Sequence, residues 1–177
     1  MTWTRSLAPA LLALPLLTAC SGADSDGDAD STDSATSSDI ATADPAECSG
    51  VALVVDTGDM PDTGVAGTWC IEADAAIAAT EVLAQAGVET EGTQEFGDAV
   101  VCRVNGVPAE DTTLLADDGS EIVETCEGMP SADAYWSLWL QTDGAWEYAP
   151  EGVDTLQVEP GSALGLLFVL NGQPESL

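Results

Sequence analysis

Apolar positions along this chain change their period several times, and each change marks an element. Residues 51–55 form an apolar, β-branched run and predict a strand. Turn chemistry follows in Thr57-Gly58-Asp59-Met60-Pro61-Asp62-Thr63-Gly64. Residues 65–71 predict the returning strand. Over 72–86 the period becomes helical, with Ala73, Ala76, Ile77, Thr80, Leu83 and Ala84 recurring on one side. Glu72 and Asp74 would occupy the first turn, where the helix dipole favours acids. Gly87 followed by Val88 has the pattern of a helix C-cap. Further strands are predicted at 99–104, 135–140, 145–148, 155–158 and 164–170. Asn105-Gly106 is a strong tight-turn signal. Pro108 puts the chain after it in an edge or a loop, and Asp117-Asp118-Gly119-Ser120 marks another turn. No internal repeat is present. A hairpin, then a helix, then three or more strands predicts an α+β domain. One helix packs on one face of a mixed sheet of four to six strands.

The amino-terminal pattern is of a different kind. Arg5 supplies a positive charge, and residues 7–17 form a short apolar stretch broken by Pro9 and Pro15. A bilayer span needs about 20 apolar residues, so this stretch reads as the core of a secretory signal. It ends in Leu17-Thr18-Ala19-Cys20, which resembles the lipobox of bacterial lipoproteins. The resemblance implies a signal peptide over 1–19, removed so that Cys20 becomes the amino terminus and carries a diacylglycerol on its thiol. The simpler alternative is an ordinary secretory signal with an unrelated Cys after Ala19. With two acyl chains the anchor would be stable, where one would be marginal. The expected location is the extracytoplasmic face of the cell membrane.

Residues 20–45 are expected to form a disordered tether. Between 21 and 45 the chain holds seven Asp and a single large apolar residue, Ile40. That is too little apolar surface to offset the entropy of ordering. Such a tether reaches roughly 25 to 30 Å, more when like charges stretch it. The run from Asp24 to Asp30 has the look of a calcium loop. It lacks the Gly and the Glu at the sixth and twelfth positions that an EF-hand loop needs, so it reads as a solvated linker.

Residues 46–177 then make one domain of ordinary size. Its cysteines are Cys48, Cys70, Cys102 and Cys126. In an exported chain they are expected to form disulfides. The midpoint of Cys48 and Cys70 is residue 59, inside the predicted turn, so an antiparallel hairpin sets them side by side. Cys102 then pairs with Cys126 by elimination.

Several of these segments also carry a family resemblance. They are Val51-Ala-Leu-Val-Val-Asp56, Val82-Leu-Ala-Gln-Ala-Gly87, Val101-Cys-Arg-Val-Asn-Gly-Val-Pro108, Tyr135-Trp-Ser-Leu-Trp139, Gly144-Ala-Trp146 and Pro160-Gly161, in that order. The chain resembles actinobacterial lipoproteins related to the transcobalamin C-terminal domain, over residues 48–170. The resemblance implies a β-grasp (ubiquitin-like) fold. In the transcobalamin relatives this domain closes over a vitamin against a second, helical domain, which has no counterpart here. An energy-coupling-factor vitamin transporter is a partner implied by the resemblance alone.

Charge narrows the function classes. The chain has 32 Asp and Glu against 2 Arg, with no Lys and no His. Nucleic acid is excluded as a partner, because phosphates need Lys or Arg to displace their counterions. Catalysis by His or Lys is excluded with them. Self-repulsion favours a monomer. The sequence has no Ser-His pair, no Gly-rich phosphate loop and no metal-ligand spacing. It therefore reads as a non-enzyme without cofactor or metal.

Two features remain as binding candidates. Five of the eight aromatic residues after Cys20 lie between 135 and 148. In a strand, Tyr135 and Trp139 share one face with Ser137, while Trp136, Leu138 and Leu140 take the other. The Trp136 row is expected in the core and the Tyr135/Trp139 row exposed. Exposed rings can stack on a flat ligand, a sugar or a protein. Alternatively the rings only brace the sheet across strands. Arg103, the one cation after Arg5, is expected to face away from the disulfide. It either captures a carboxylate or phosphate or pairs with a neighbouring acid. Two function classes follow. One is a lipoprotein that captures a small molecule for an importer. The other is an envelope protein that binds wall glycan or a protein partner through its aromatic face.

Overall fold

The computed structural model describes residues 45–60, 63–172, 174 and 177. The expectations for the signal segment, for Cys20 and for the tether up to residue 44 fall outside these residues. Among the described residues, no helix is long and apolar enough to cross a membrane.

After a 3-10 turn at Pro45–Glu47, the chain runs through β1 (Val51–Asp56), β2 (Gly67–Ile71), β3 (Ile77–Ala78) and α1 (Ala79–Ala86). It continues through β4 (Thr90–Thr93), β5 (Gly97–Val104), β6 (Leu114–Leu115) and β7 (Glu121–Ile122). The last strands are β8 (Ala134–Thr142), β9 (Ala145–Tyr148), β10 (Gln157–Val158) and β11 (Ala163–Leu170). The result is a mixed α+β domain, mostly β, with one helix.

The main sheet has the order β2-β1-β11-β8-β9. β1 and β11 run parallel, and the other neighbours are antiparallel. The sequence explains why β11 lies in the middle. Its run Ala-Leu-Gly-Leu-Leu-Phe-Val-Leu has almost no polar position, and six of its eight residues are buried. A strand covered on both faces needs that composition. One face of the sheet holds the core. Leu53, Leu164 and Leu166 are fully buried there, with Val51, Val82 and Val158. Trp136 meets Phe168 edge to face, with ring centroids 5.3 Å apart.

The helix is shorter than its periodicity predicts. Residues 72–78 are not helical, and Ala78 is extended at φ −64°, ψ 139°. The reason is tertiary. Ile77 and Ala78 pair with Val158 and Gln157, and the Ala79 N–H donates to Leu156 O at 2.9 Å. Strand pairing takes the backbone groups that another helical turn would have used. At the other end the pattern holds. Gly87 adopts φ 69°, its N–H donates to Ala84 O, and the Val88 N–H donates to Leu83 O. This is the bond pair of a Schellman cap.

Four short strands went unread in the sequence: β3, β4, β6 and β7. β4 and β5 form a hairpin with register shifts on both sides of Gly92, where a Cβ would run into the backbone of Gly97. Asn105 and Gly106 both have positive φ, at 47° and 75°, and close a two-residue turn between Val104 and Val107. The Asp117–Ser120 segment turns between β6 and β7. There the Asp118 carboxylate accepts the Ser120 N–H at 2.8 Å, and its pKa is lowered mainly by Ser120.

Candidate functional site: the outer face of the sheet

The face of the main sheet opposite the core is assembled by one tight turn. Asp143 and Gly144 both have positive φ, at 54° and 80°. A two-residue loop of this kind fixes the hairpin register. β8 and β9 therefore pair Trp139 with Tyr148 and Gln141 with Trp146. Strand alternation puts Tyr135, Ser137, Trp139 and Gln141 on this outer face, with Trp146 and Tyr148 beside them.

The expected exposure of Trp139 is overturned. Trp139 is only 2% exposed, less than Trp136 at 6%. The cause is the neighbour that the turn delivers. The Tyr148 ring stacks on the indole with centroids 4.1 Å apart and an interplanar angle of 26°. The Trp139 Nε1–H donates to Ser137 Oγ at 2.8 Å, and the Ser137 hydroxyl donates to Leu167 O at 2.9 Å. Trp139 is thus clamped from above and from the side. The outermost ring is Tyr148, which is 50% exposed. Tyr135 and Trp146 are half-buried around it.

Gly165 forms the floor of this face. It pairs with Trp139 across β11 and β8. A methyl group on it would lie 2.9 Å from Trp146 Cζ3 and 2.6 Å from Leu177 Cδ2. The absent side chain is what lets the Trp146 ring and Leu177 come down onto the sheet. Ala52 and Ala163 continue this small-residue floor and are almost fully buried.

The Tyr148 phenol is pushed up to about 12, first by desolvation and then by the Tyr135 hydroxyl beside it. The Tyr148 hydroxyl is therefore neutral at ordinary pH. Tyr135 also borders an apolar hollow of about 330 Å³ with Val100, Pro130 and Trp136. Met129, at its rim, is 68% exposed. The Trp136 Nε1–H is already used there, donating to Val107 O at 2.8 Å.

Arg103 stands apart from these rings, and its expected position is also overturned. It does not face away from the disulfide: Nη1 lies 2.7 Å from Cys126 Sγ. The same nitrogen donates to Glu91 Oε2 at 2.9 Å. Nε donates to Pro108 O at 2.8 Å, and Nη2 donates to Glu124 O at 2.7 Å. The reason is a loop that the strand pattern did not announce. The Gln94 and Glu95 N–H groups donate to Cys126 O and Glu127 O, which folds this loop over β5. Arg103 ends up 4% exposed, with its donors turned to the chain's own acceptors. It acts as a brace under the loop and is not an open anion hook.

The cysteines are joined as Cys48–Cys70 and Cys102–Cys126, with Cα separations of 5.5 and 5.7 Å. Glu91, Cys102 and Cys126 bring their ligand atoms within 4.8 Å of one another. The two sulfurs are bonded to each other and Glu91 to Arg103, so this group offers no thiolate to a metal.

Of the residues singled out in the sequence, the outer face unites Tyr135 and Trp139 and leaves Arg103 elsewhere. The sequence reading counted Trp146 and Tyr148 in the aromatic cluster but gave the exposed row to Tyr135 and Trp139 alone, and it did not single out Gly165. The signal for the two rings was present in Asp143-Gly144, whose turn length fixes which residues meet. No protein-family model, no curated protein and no solved structure matches this chain.

Proposed function

We propose that this chain is a lipid-anchored, extracytoplasmic binding protein. Its outer aromatic face captures a small, vitamin-like molecule or docks it to an importer of the energy-coupling-factor type. The observation that carries this reading is the Tyr148 ring, stacked on a buried Trp139 yet half open to solvent. A ring already held in place loses little freedom when a ligand stacks on it. The Tyr135 and Tyr148 hydroxyls add hydrogen-bonding groups at its edge. The domain acts by binding and not by catalysis, a reading supported by the lack of His and Lys and by cysteines committed to disulfides.

The same reading makes the domain a β-grasp related to the transcobalamin C-terminal-like lipoproteins. Its support is the order β2-β1-β11-β8-β9, with the first and last strands parallel at the centre. β1 forms a hairpin with β2 on one side, the β8–β9 hairpin lies on the other, and α1 follows the first hairpin. The membrane link rests on the Leu17-Thr18-Ala19-Cys20 motif.

Two experiments test this. Replacing Cys20 by Ser is expected to release the protein or leave an unprocessed precursor. Retention in the membrane fraction at the mature size would contradict the anchor. Native mass spectrometry of protein taken from its own membranes is expected to show a bound small molecule or a transporter subunit, lost in Tyr148→Ala. Co-sedimentation with purified wall, lost in the same variant, would favour wall glycan as the ligand instead.

A further inference from the structure

The outer face also carries information about ligand charge. Among the described residues the cation is Arg103, and its donors go to Glu91, Pro108, Glu124 and Cys126. The chain holds 32 acids and neither Lys nor His. A ligand carboxylate or phosphate arriving at Tyr148 would therefore meet a repulsive field and no counter-charge. A cation would meet the opposite. The field draws it in, and the π face of an aromatic ring attracts it at contact.

The geometry suits such contact. One side of the Tyr148 ring is covered by Trp139 at 4.1 Å, which leaves the other side for the 50% of the residue that solvent reaches. Trp146 lies two residues away on the same face of β9 and reaches over Gly165. The Tyr135 hydroxyl lies beside Tyr148. Tyr148 thus presents one open ring, backed by Trp139, on a chain with 32 acids and 2 Arg. Because Tyr148 is held by its stack, the ring needs little ordering before it binds.

We propose that the open side of Tyr148 is a binding site for a small organic cation carrying an alkylated ammonium group. This deepens the binding role proposed above and rests on it. Cation–π attraction from the ring supplies recognition. The acidic surface raises the local cation concentration, and that contribution fades as salt screens it.

The test uses the full chain in detergent, with choline as the probe and 3,3-dimethylbutan-1-ol as its uncharged isostere. Ionic strength is held constant, and tryptophan fluorescence and ligand-observed NMR follow binding. Choline is expected to bind saturably, and the alcohol at least about tenfold more weakly. Tyr148→Ala should lower choline affinity by about tenfold or more while its thermal melt shows a folded domain. Tyr148→Phe, which keeps the ring, should retain most of the affinity. Equal binding of choline and the alcohol would overturn the proposal, as would an unchanged choline affinity in Tyr148→Ala or no choline binding at all. If choline fails while material from native membranes still binds and is lost in Tyr148→Ala, the face remains a binding surface and only the cationic class falls. If both fail, the binding role falls with it.

Discussion

The two faces of the main sheet bury one tryptophan each from the same strand, and they do it by different means. On the core face, Trp136 is surrounded by aliphatic residues of several elements and by Phe168. Its burial is shared among many neighbours. On the outer face, Trp139 is buried by few: the Tyr148 ring above it, the Ser137 hydroxyl beside it, and Trp146 and Leu177 settled onto Gly165. The difference lies in the outermost layer. The core face ends in residues that must stay dry. The outer face ends in a ring that is half in water and lies over Trp139. Equal burial of two indoles therefore does not mean equal duty for the residues that cover them.

The largest expected effects bear on that equality. Trp136→Ala should cost about 3 to 5 kcal/mol, since it removes a large core ring and one of the two donors to Val107 O, the other being the Val104 N–H. Trp139→Ala should fall in the same range of about 3 to 5 kcal/mol. Chemical denaturation measures both. A Trp139→Ala loss of only a few tenths would mean that the outer stack contributes nothing to the fold.

Gly165→Ala sharpens the contrast at the floor. The new methyl would sit 2.9 Å from Trp146 Cζ3, so the ring must lift. We expect a loss of about 1 to 3 kcal/mol, with a change in tryptophan emission that a core substitution of similar cost would not produce. An unchanged spectrum and stability would show that Trp146 does not rest on Gly165.

The smallest effect is a titration. The Tyr148 pKa is raised to about 12, so above the normal phenol range the native state binds more protons than the unfolded chain. Stability is therefore unaffected by this group below about pH 10 and declines as pH rises toward 12. The chain has 2 Tyr, so Tyr135→Phe leaves Tyr148 as the single phenol, and ultraviolet absorbance then reads it alone. Its midpoint should move down from the wild-type value, because one of the causes of the shift is gone. It should stay above that of free tyrosine, because desolvation remains. A midpoint at the free value would mean that the ring is not desolvated at all.

How much of this was legible in the sequence differs between the same two faces. The core face is written in composition and period. The runs at 51–55 and 164–170 are apolar throughout, which marks strands in the middle of a sheet. The α1 cap is written in Gly87-Val88. The helix start was not legible, because Ile77 and Ala78 suit a strand as well as a helix and the choice was made by β10, some 80 residues later. The outer face needed a step that period alone does not supply. Alternation placed Tyr135 and Trp139 on one face, yet exposure depends on the neighbouring strand. Counting outward from Asp143-Gly144 puts Tyr148 on Trp139. Arg103 was illegible for a related reason. The loop that covers it is irregular, with Cys126 itself at φ 56°, and an irregular loop has no period to read. What led to that loop was its cysteine.

The central claim is that Trp139 belongs to the scaffold and Tyr148 to the binding surface, although the two rings are stacked. The most direct measurement is a pair of variants, Trp139→Ala and Tyr148→Ala. Each is melted, and each is assayed for the material that the wild type retains from its native membranes. The account predicts a large stability loss for Trp139→Ala. For Tyr148→Ala it predicts a loss of about 1 kcal/mol, the scale of one aromatic stack, with the retained material gone. If Tyr148→Ala melts as early as Trp139→Ala, or melts like the wild type and still holds what the wild type holds, the claim is wrong.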